Sequence, residues 1–450
     1  MTRSKHAADV LPREANPQAA QLADTAARLR DALDRDPDAH AVRYQLALLE
    51  AQLGHWIEAE RLARCVAVDG GAAYAGALGQ ILAEQGRGDE AHAWLAQALA
   101  ANPGDASAHA WLGAVHAGRG DWTAAVNCFE RALSIRGDFE WARVRRDQAA
   151  FLRDVQTTYV AYACRRGFDP DPATAGAAIV EFPSASVDAS GNPRFVMTLP
   201  SPLILGDLGA ANLFYREIGG RGWEFALRCF IDASIDSDDV FIDVGAHWGV
   251  HALTAATRRP TEVSVLAIEA HPGNAERLRG WVELNRLGKE IAVVSAAAGD
   301  REGQAQLLVD RSSMGYQLSG GVADAGSRTI DVDLTTIDRQ LSARAGLRWR
   351  RVLMKIDVEG YELEVLAGAK GLLATGDVAA VVWEKGVFHD GELQRQRDAA
   401  IFALLDGLGF EHFRFADEDA GGPLLPLADR DATCNVYSLA RGFRREPVYS

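Results

Sequence analysis

At 450 residues, 48 % of them hydrophobic, the chain is too long for one ordinary domain and apolar enough for two or three packed cores. A formal net charge of −15 argues against nucleic acid as the main partner, because phosphate binding needs clustered Lys and Arg. No apolar run reaches membrane-spanning length, and the five cysteines show no Cys-x-x-Cys spacing, which fits reduced thiols in a cytoplasmic protein. Met1 to Gln18 has acids and no apolar core, so it does not read as a secretory signal; residues 1–18 are expected to be a disordered lead-in.

From His40 onward the chain matches itself at a shift of 34 residues. Leu78-Gly79 returns as Leu112-Gly113, and Ala83, Gly86, Ala91, Ala98 and Leu99 return as Ala117, Gly120, Ala125, Ala132 and Leu133. An earlier, slightly shorter copy has Gly54-His55-Trp56 and Ala59. This period, with small residues at fixed places, is the signature of tetratricopeptide repeats (TPR), antiparallel helix pairs whose small residues let the helices cross closely. The repeats fall at His40–Gly71, Ala72–Asp105 and Ala106–Phe139, with a capping helix over Asp24–Arg35 and a closing helix over Trp141–Ala163. The all-α array is thus expected over residues 19–165. Such stacks present a concave surface rather than catalyse. The expected role is binding of a protein partner or self-association, a homodimer included; the plainer reading is a scaffold packed on an enzyme. The array has no lysine, which weakens the case for a clamp on peptide carboxyl termini.

Phe168 to Asn192, with Pro, Ala and Ser, reads as the junction (residues 166–193) before a second domain over 194–450. Arg194–Leu199 and Leu203–Leu205 suggest a small hairpin, and Gly222–Ile231 a helix. The β-branched run Val240-Phe241-Ile242-Asp243-Val244 then meets the turn Gly245-Ala246-His247-Trp248-Gly249, which opens a helix to Thr257. This is the first strand–turn–helix of an open α/β sheet, with a ligand at the carboxyl end of the strand. A dinucleotide would want G-x-G-x-x-G. The two glycines found here suit a ligand without a pyrophosphate, such as S-adenosylmethionine (SAM). A second strand, Val263–Glu269, ends in an acid able to accept both hydroxyls of a ribose, with Ala270 beside it. A third, Ile291–Ala298, leads to Asp300, an acceptor for an adenine amino group. Asp243, Gly245, Ala246, His247, Gly249, Glu269, Ala270 and Asp300 are therefore the candidate cofactor-binding residues. For each acid the plain alternative is a helix cap or a surface turn.

The fourth strand, Val352–Ile356, continues through Asp357-Val358-Glu359-Gly360 into a helix over Tyr361–Leu373. Lys355-Ile356-Asp357-Val358-Glu359-Gly360-Tyr361-Glu362, with Val365-Leu366-Ala367-Gly368-Ala369, resembles the signature of the FkbM-type SAM-dependent methyltransferases. Phe241 to Gly249 resembles the first motif of that family, and Asp331 to Asp338 its segment before the fourth strand, so the likeness covers Asp239 to Phe415. The resemblance implies a class I O-methyltransferase acting on a hydroxyl of a glycan or another polyhydroxylated metabolite. It also implies a Rossmann-like seven-stranded sheet with an antiparallel last strand. Strands six and seven would be Glu411–Phe415 and Cys434–Leu439, after a helix over Gln394–Leu408. His247, Trp248 and His251 depart from the residues more usual in the family and bear on what lies over the cofactor. Glu224 falls where members tend to carry an acid, which by the resemblance puts it in reach of the cofactor; as a lone Glu on an amphipathic helix it reads as solvated.

Methyl transfer to a hydroxyl needs alignment, exclusion of water and a base. Asp357 and Glu359 follow strand four; Glu384 ends strand five, Val378–Trp383, and His389 lies five residues on. These four are the candidate catalytic residues, with Asp357 or His389 as the base and helix capping as the alternative for Asp357 and Glu359. Asp357 and Glu384 are also hard oxygen ligands open to Mg²⁺, as in catechol-type O-methyltransferases, but two carboxylates do not assign a metal. Lys355, inside the strand, reads as snorkelling or as paired with one of the nearby acids. The Gly/Ser-rich Arg311–Gly321 reads as an acceptor lid with Met314 and Tyr316 as contacts, or as a surface turn. Two other classes stay open: a nicotinamide-dependent oxidoreductase, and a TPR scaffold with a degenerate enzyme domain.

Overall fold

A computed structural model describes residues 17–167, 178–309, 316–318, 328–344, 346–385, 391–430 and 434–443. The chain forms two compact units, residues 1–157 and 158–450. Among the described residues no helix is long and apolar enough to cross a membrane.

The first unit is helical. After α1 (Pro17–Arg35) come the pairs α2 (His40–Gln52) and α3 (Trp56–Asp69), α4 (Ala75–Glu84) and α5 (Gly88–Ala101), and α6 (Ala106–Gly118) and α7 (Trp122–Ile135); the unit boundary falls inside α8 (Glu140–Arg166). The 34-residue period has a packing cause. A Cβ on Gly79 would lie 2.6 Å from Leu95 Cγ, and one on Gly113 would lie 3.0 Å from a Phe129 ring carbon. The same small residue in each repeat therefore lets the second helix lie against the first. Asp105 and Asp121 cap α6 and α7 by accepting from the Ala108 and Ala124 amides.

The second unit opens with an antiparallel pair, β1 (Ile179–Pro183) and β2 (Val196–Pro200). Two expectations are corrected here. β1 lies inside the stretch read as junction, and Leu203–Leu205 is not a strand but part of α9 (Ser201–Gly206), where Pro202 sits in the first turn. β2 finds its partner upstream instead. There follow α10 (Leu208–Ile218), α11 (Phe225–Ser234), β3 (Asp239–Val244), α12 (Val250–Arg258), β4 (Ser264–Glu269), α13 (Pro272–Leu284) and β5 (Ile291–Ser295). Next come β6 (Ala297–Ala298), β7 (Gly303–Val309), β8 (Tyr316–Leu318), β9 (Arg328–Thr335), α14 (Ile337–Ser342) and β10 (Arg351–Ile356). The chain ends with α15 (Glu362–Ala367), α16 (Lys370–Thr375), β11 (Val378–Lys385), α17 (Gly391–Gly407), β12 (Phe410–Asp417), β13 (Gly421–Pro426) and β14 (Cys434–Ala440).

The main sheet has the order β13-β12-β14-β11-β10-β3-β4-β5. It has eight strands, not the expected seven, because β12 turns at Gly421 and β13 pairs back on it as an edge. β14 is antiparallel to both of its neighbours, β11 and β12. One face buries Ile242, Val244, Leu266, Met354 and Trp383 with Ile337, Leu366, Leu372 and Phe402 of the helices. Strand alternation turns Asp243 and Lys355, partners in register, to the opposite face.

The third strand is also shorter than expected. β5 stops at Ser295, and Ala297–Ala298 joins a second sheet, β6-β9-β7-β8, where Ala297, Leu307, Val332 and Leu334 share a small apolar core. The helix expected over Tyr361–Leu373 is two. Gly368 presses on the Gly299 carbonyl, and the Asp338 carboxylate accepts from the Gly371 and Leu372 amides, starting α16 afresh. Met314 and His389 lie outside the described residues, as does most of the Gly/Ser-rich stretch read as a lid.

Candidate active site

The carboxyl ends of β4, β3, β10 and β11 open into one cavity of about 1190 Å³ of atom-free space, part of it open to solvent. Of the candidate residues, Gly245, Ala246, His247, Gly249, Glu269, Ala270, Asp357, Glu359 and Glu384 line it. Asp243 and Asp300 do not. Asp243 is buried beneath the floor: one oxygen accepts from the Ala252 amide at 3.1 Å and the other lies 3.7 Å from Lys355 Nζ. Asp300 is exposed and paired with Arg301 at 3.0 Å, because the chain has already left the main sheet after Ser295. In its place Ala296, Ala297, Ala298 and Leu307 make that end of the cavity apolar.

Both glycines of the turn are required by the protein itself. A Cβ on Gly245, at φ 73°, would sit 1.7 Å from the Asp357 carbonyl oxygen; one on Gly249 would sit 2.1 Å from Leu278 Cδ1. The turn is thereby clamped between the end of β10 and α13. Trp248 is buried and donates from Nε1 to Asn274 at 3.0 Å, while His247 stacks on it at 4.4 Å between ring centroids.

Glu269 stands in the middle of the cavity wall. Its two oxygens accept from the His247 and His271 amides at 2.7 and 2.8 Å. Burial nevertheless pushes its carboxyl up to about 7. Lys355 is almost wholly buried, with Nζ 3.1 Å from Asp357 and 3.5 Å from the Gly245 carbonyl. Burial works against its charge, but Asp357, Asp243 and Glu224 more than compensate and keep it protonated above the ordinary lysine range.

Asp357, Glu359 and Glu384 face one another, each with an oxygen within 4.8 Å of the others, which is close enough to share a divalent cation. The charge of Asp357, then burial and their mutual hydrogen bond, pushes Glu384 up to about 9. Burial, with Asp357 and Glu362 nearby, pushes Glu359 up to about 7. Of the three, Glu384 is therefore the carboxyl that holds a proton most firmly. Glu362, not singled out in the sequence, holds the turn by accepting from the Val358 and Gly360 amides at 3.3 and 3.1 Å.

Glu224 and His251 enter the cavity as a pair. Glu224, read as solvated, lines it and lies 3.0 Å from Nε2 of buried His251, which lines it too. Burial opposes the charge of Glu224, but His251 and Lys355 outweigh it and hold the carboxyl down at about 2. The sequence signals for this pair were Glu224 in a place where members tend to carry an acid and His251 in a place where an aromatic residue is more usual.

Known proteins resemble the chain in each of its two units. The chain matches the Methyltransferase FkbM domain over residues 243–412 and a tetratricopeptide repeat family over residues 82–147. The second unit therefore bears the likeness to an FkbM methyltransferase domain and the first the likeness to TPR repeats. The methyltransferase domain is similar to the hexuronic acid methyltransferase AglP of Haloferax volcanii, with 29 % identity over 174 residues; the match spans 37 % of this chain and 64 % of that protein. Among solved structures, an FkbM methyltransferase from Methylobacillus flagellatus aligns over 46 % of this chain and 44 % of its own, with 14 % identity and a TM-score of 0.29. MamA aligns over 30 % of this chain and 85 % of its own, with 21 % identity and a TM-score of 0.25.

Proposed function

We propose that the methyltransferase domain is a SAM-dependent O-methyltransferase whose acceptor is a hydroxyl of a glycan or another polyhydroxylated metabolite, and that the TPR array binds a protein partner or a second copy of the chain. The observation that carries this reading is the change of chemistry along the cavity. It runs from apolar at Ala296–Ala298, through the acid Glu269, to the ionic groups Glu224, Lys355 and Asp357. That sequence suits adenine, ribose and an amino-acid end in turn, and the turn of Gly245 and Gly249 offers no pyrophosphate cradle of the G-x-G-x-x-G type. The name of the archaeal relative, a hexuronic acid methyltransferase, supports a sugar acceptor.

SAM, when bound, supplies a methyl group already activated as a sulfonium. The residues of the chain then have three tasks. Glu269 and the apolar end hold the nucleoside. The wall of Asp357, Glu359 and Glu384 orients the acceptor hydroxyl at the ends of β10 and β11. Asp357 would take the proton that the acceptor hydroxyl gives up as its oxygen is methylated. Glu384, already protonated, is a hydrogen-bond donor to Asp357 rather than a second base. The three-carboxylate geometry supports a second reading, in which a divalent cation holds the acceptor oxygen; transfer that is indifferent to EDTA removes it.

The test is incubation of the whole chain with methyl-labelled SAM and a panel of neutral and acidic sugars. An alkali-stable labelled ether is the expected product. Label appearing in an amine or a carboxyl ester, with no ether from any acceptor, would overturn the O-methyl assignment.

A further inference from the structure

Six described non-glycine residues have positive φ, and three of them, Glu224, His247 and Glu359, line the cavity. Left-handed backbone is unfavourable for such residues and persists where surrounding contacts impose it, commonly at functional sites. Glu224 has φ 45° and is braced from several sides. The Trp223 amide donates to Glu217 at 2.8 Å, the Arg228 amide to the Glu224 carbonyl at 3.1 Å, and the Ala226 amide to the Glu418 carbonyl at 3.3 Å. Glu217 is itself fully buried and paired with buried Arg228. This bracing turns a carboxylate inward against His251, which is 4 % exposed, and against the indole of Trp223. A helix needs none of this for a solvated acid at its first turn.

The sheet order shows what the carboxylate would meet. β5, β4, β3 and β10 are successive neighbours. A nucleoside whose ribose lies at Glu269, on β4, and whose base lies toward the alanines after β5 must extend its other end past β3. There the cavity offers the turn at Gly245, His251 and Glu224. The acid of the first motif, Asp243, is unavailable: it is buried and engaged with the Ala252 amide and Lys355.

We propose that Glu224 is the acceptor for the α-ammonium group of the cofactor's amino-acid end, and that His251 is the positioning residue that holds the Glu224 carboxylate in place. The inference rests on the SAM reading above. The charge agrees with the geometry, since a carboxylate held well below its usual range is ready to receive a cation without first losing a proton.

Two ligands that share the nucleoside and differ at this end test it: S-adenosylhomocysteine, which has the amino acid, and 5′-methylthioadenosine, which lacks it. Calorimetry on the whole chain should show tighter binding of the first. Glu224→Gln should weaken S-adenosylhomocysteine by ~10- to 100-fold, the effect of one charge-assisted hydrogen bond, and leave 5′-methylthioadenosine unchanged. His251→Phe, which keeps a ring in the same space, should weaken S-adenosylhomocysteine by a smaller factor and again spare the truncated ligand; it also stands in if Glu224→Gln fails to fold. Equal loss for both ligands, or no loss for either, overturns the assignment while the cofactor reading stands. Failure of both ligands on the unaltered chain sinks the cofactor reading and this assignment with it.

Discussion

Asp357→Asn should lower methyl transfer by about 10²- to 10⁴-fold, the range for removal of a general base, while S-adenosylhomocysteine affinity changes little. Asparagine keeps the shape and can still accept from Lys355, 3.1 Å away, so the floor of the cavity is preserved. What it loses is the ability to take a proton. The substitution also removes the charge that raises Glu384 to about 9, so Glu384 should ionise more readily and supply the residual rate. Adding Glu384→Gln should therefore abolish that residue of activity, a non-additive result that a purely structural role would not give. Full activity of Asp357→Asn would remove Asp357 from the chemistry.

Gly245→Ala should be the most damaging single methyl group in the methyltransferase domain. The added carbon would stand 1.7 Å from the Asp357 carbonyl oxygen, and the backbone is at φ 73°. Relief requires the turn to part from the end of β10, where Lys355 and Asp357 are set. Overpacking and left-handed strain together predict a loss of roughly 2–6 kcal/mol, read by denaturant unfolding followed through the second unit. Gly280→Ala is the matched control. It lies in α13, a Cβ there meets nothing within 4 Å, and it should be neutral or stabilising by up to about 1 kcal/mol. Similar unfolding of the two variants would contradict the clamp.

What the sequence disclosed follows from periodicity and burial. The repeats were visible because Gly79 and Gly113 meet the same close crossing 34 residues apart, and one contact repeated leaves one letter repeated. The parallel strands β3, β4 and β10 were visible because they are buried on both faces and so read as nearly continuous apolar runs, interrupted by Asp243 in β3 and Lys355 in β10. Gly245 was singled out for a different reason from the one the structure supplies: the close approach is to the Asp357 carbonyl. Other features left no such trace. Asp300 was placed by extending a strand three residues too far, and only the pairing of Ala297–Ala298 with β9 shows that the chain changes sheets first. β13, Gly421–Pro426, has two glycines and two prolines, and an edge strand can carry them where an inner strand could not. Glu224 turns inward through a left-handed backbone fixed by Glu217, Arg228 and Glu418, residues near and far in sequence.

The account stands or falls on the cavity at the strand ends being the cofactor site. Calorimetric titration of the whole chain with S-adenosylhomocysteine, the unaltered protein beside Glu269→Ala, tests that directly. Binding of about micromolar strength is expected, weakened at least ~10-fold in the variant, which loses the ribose acceptor and leaves the His247 and His271 amides without their partner. No binding to the unaltered chain would contradict the account and leave the TPR array as the working part of the molecule.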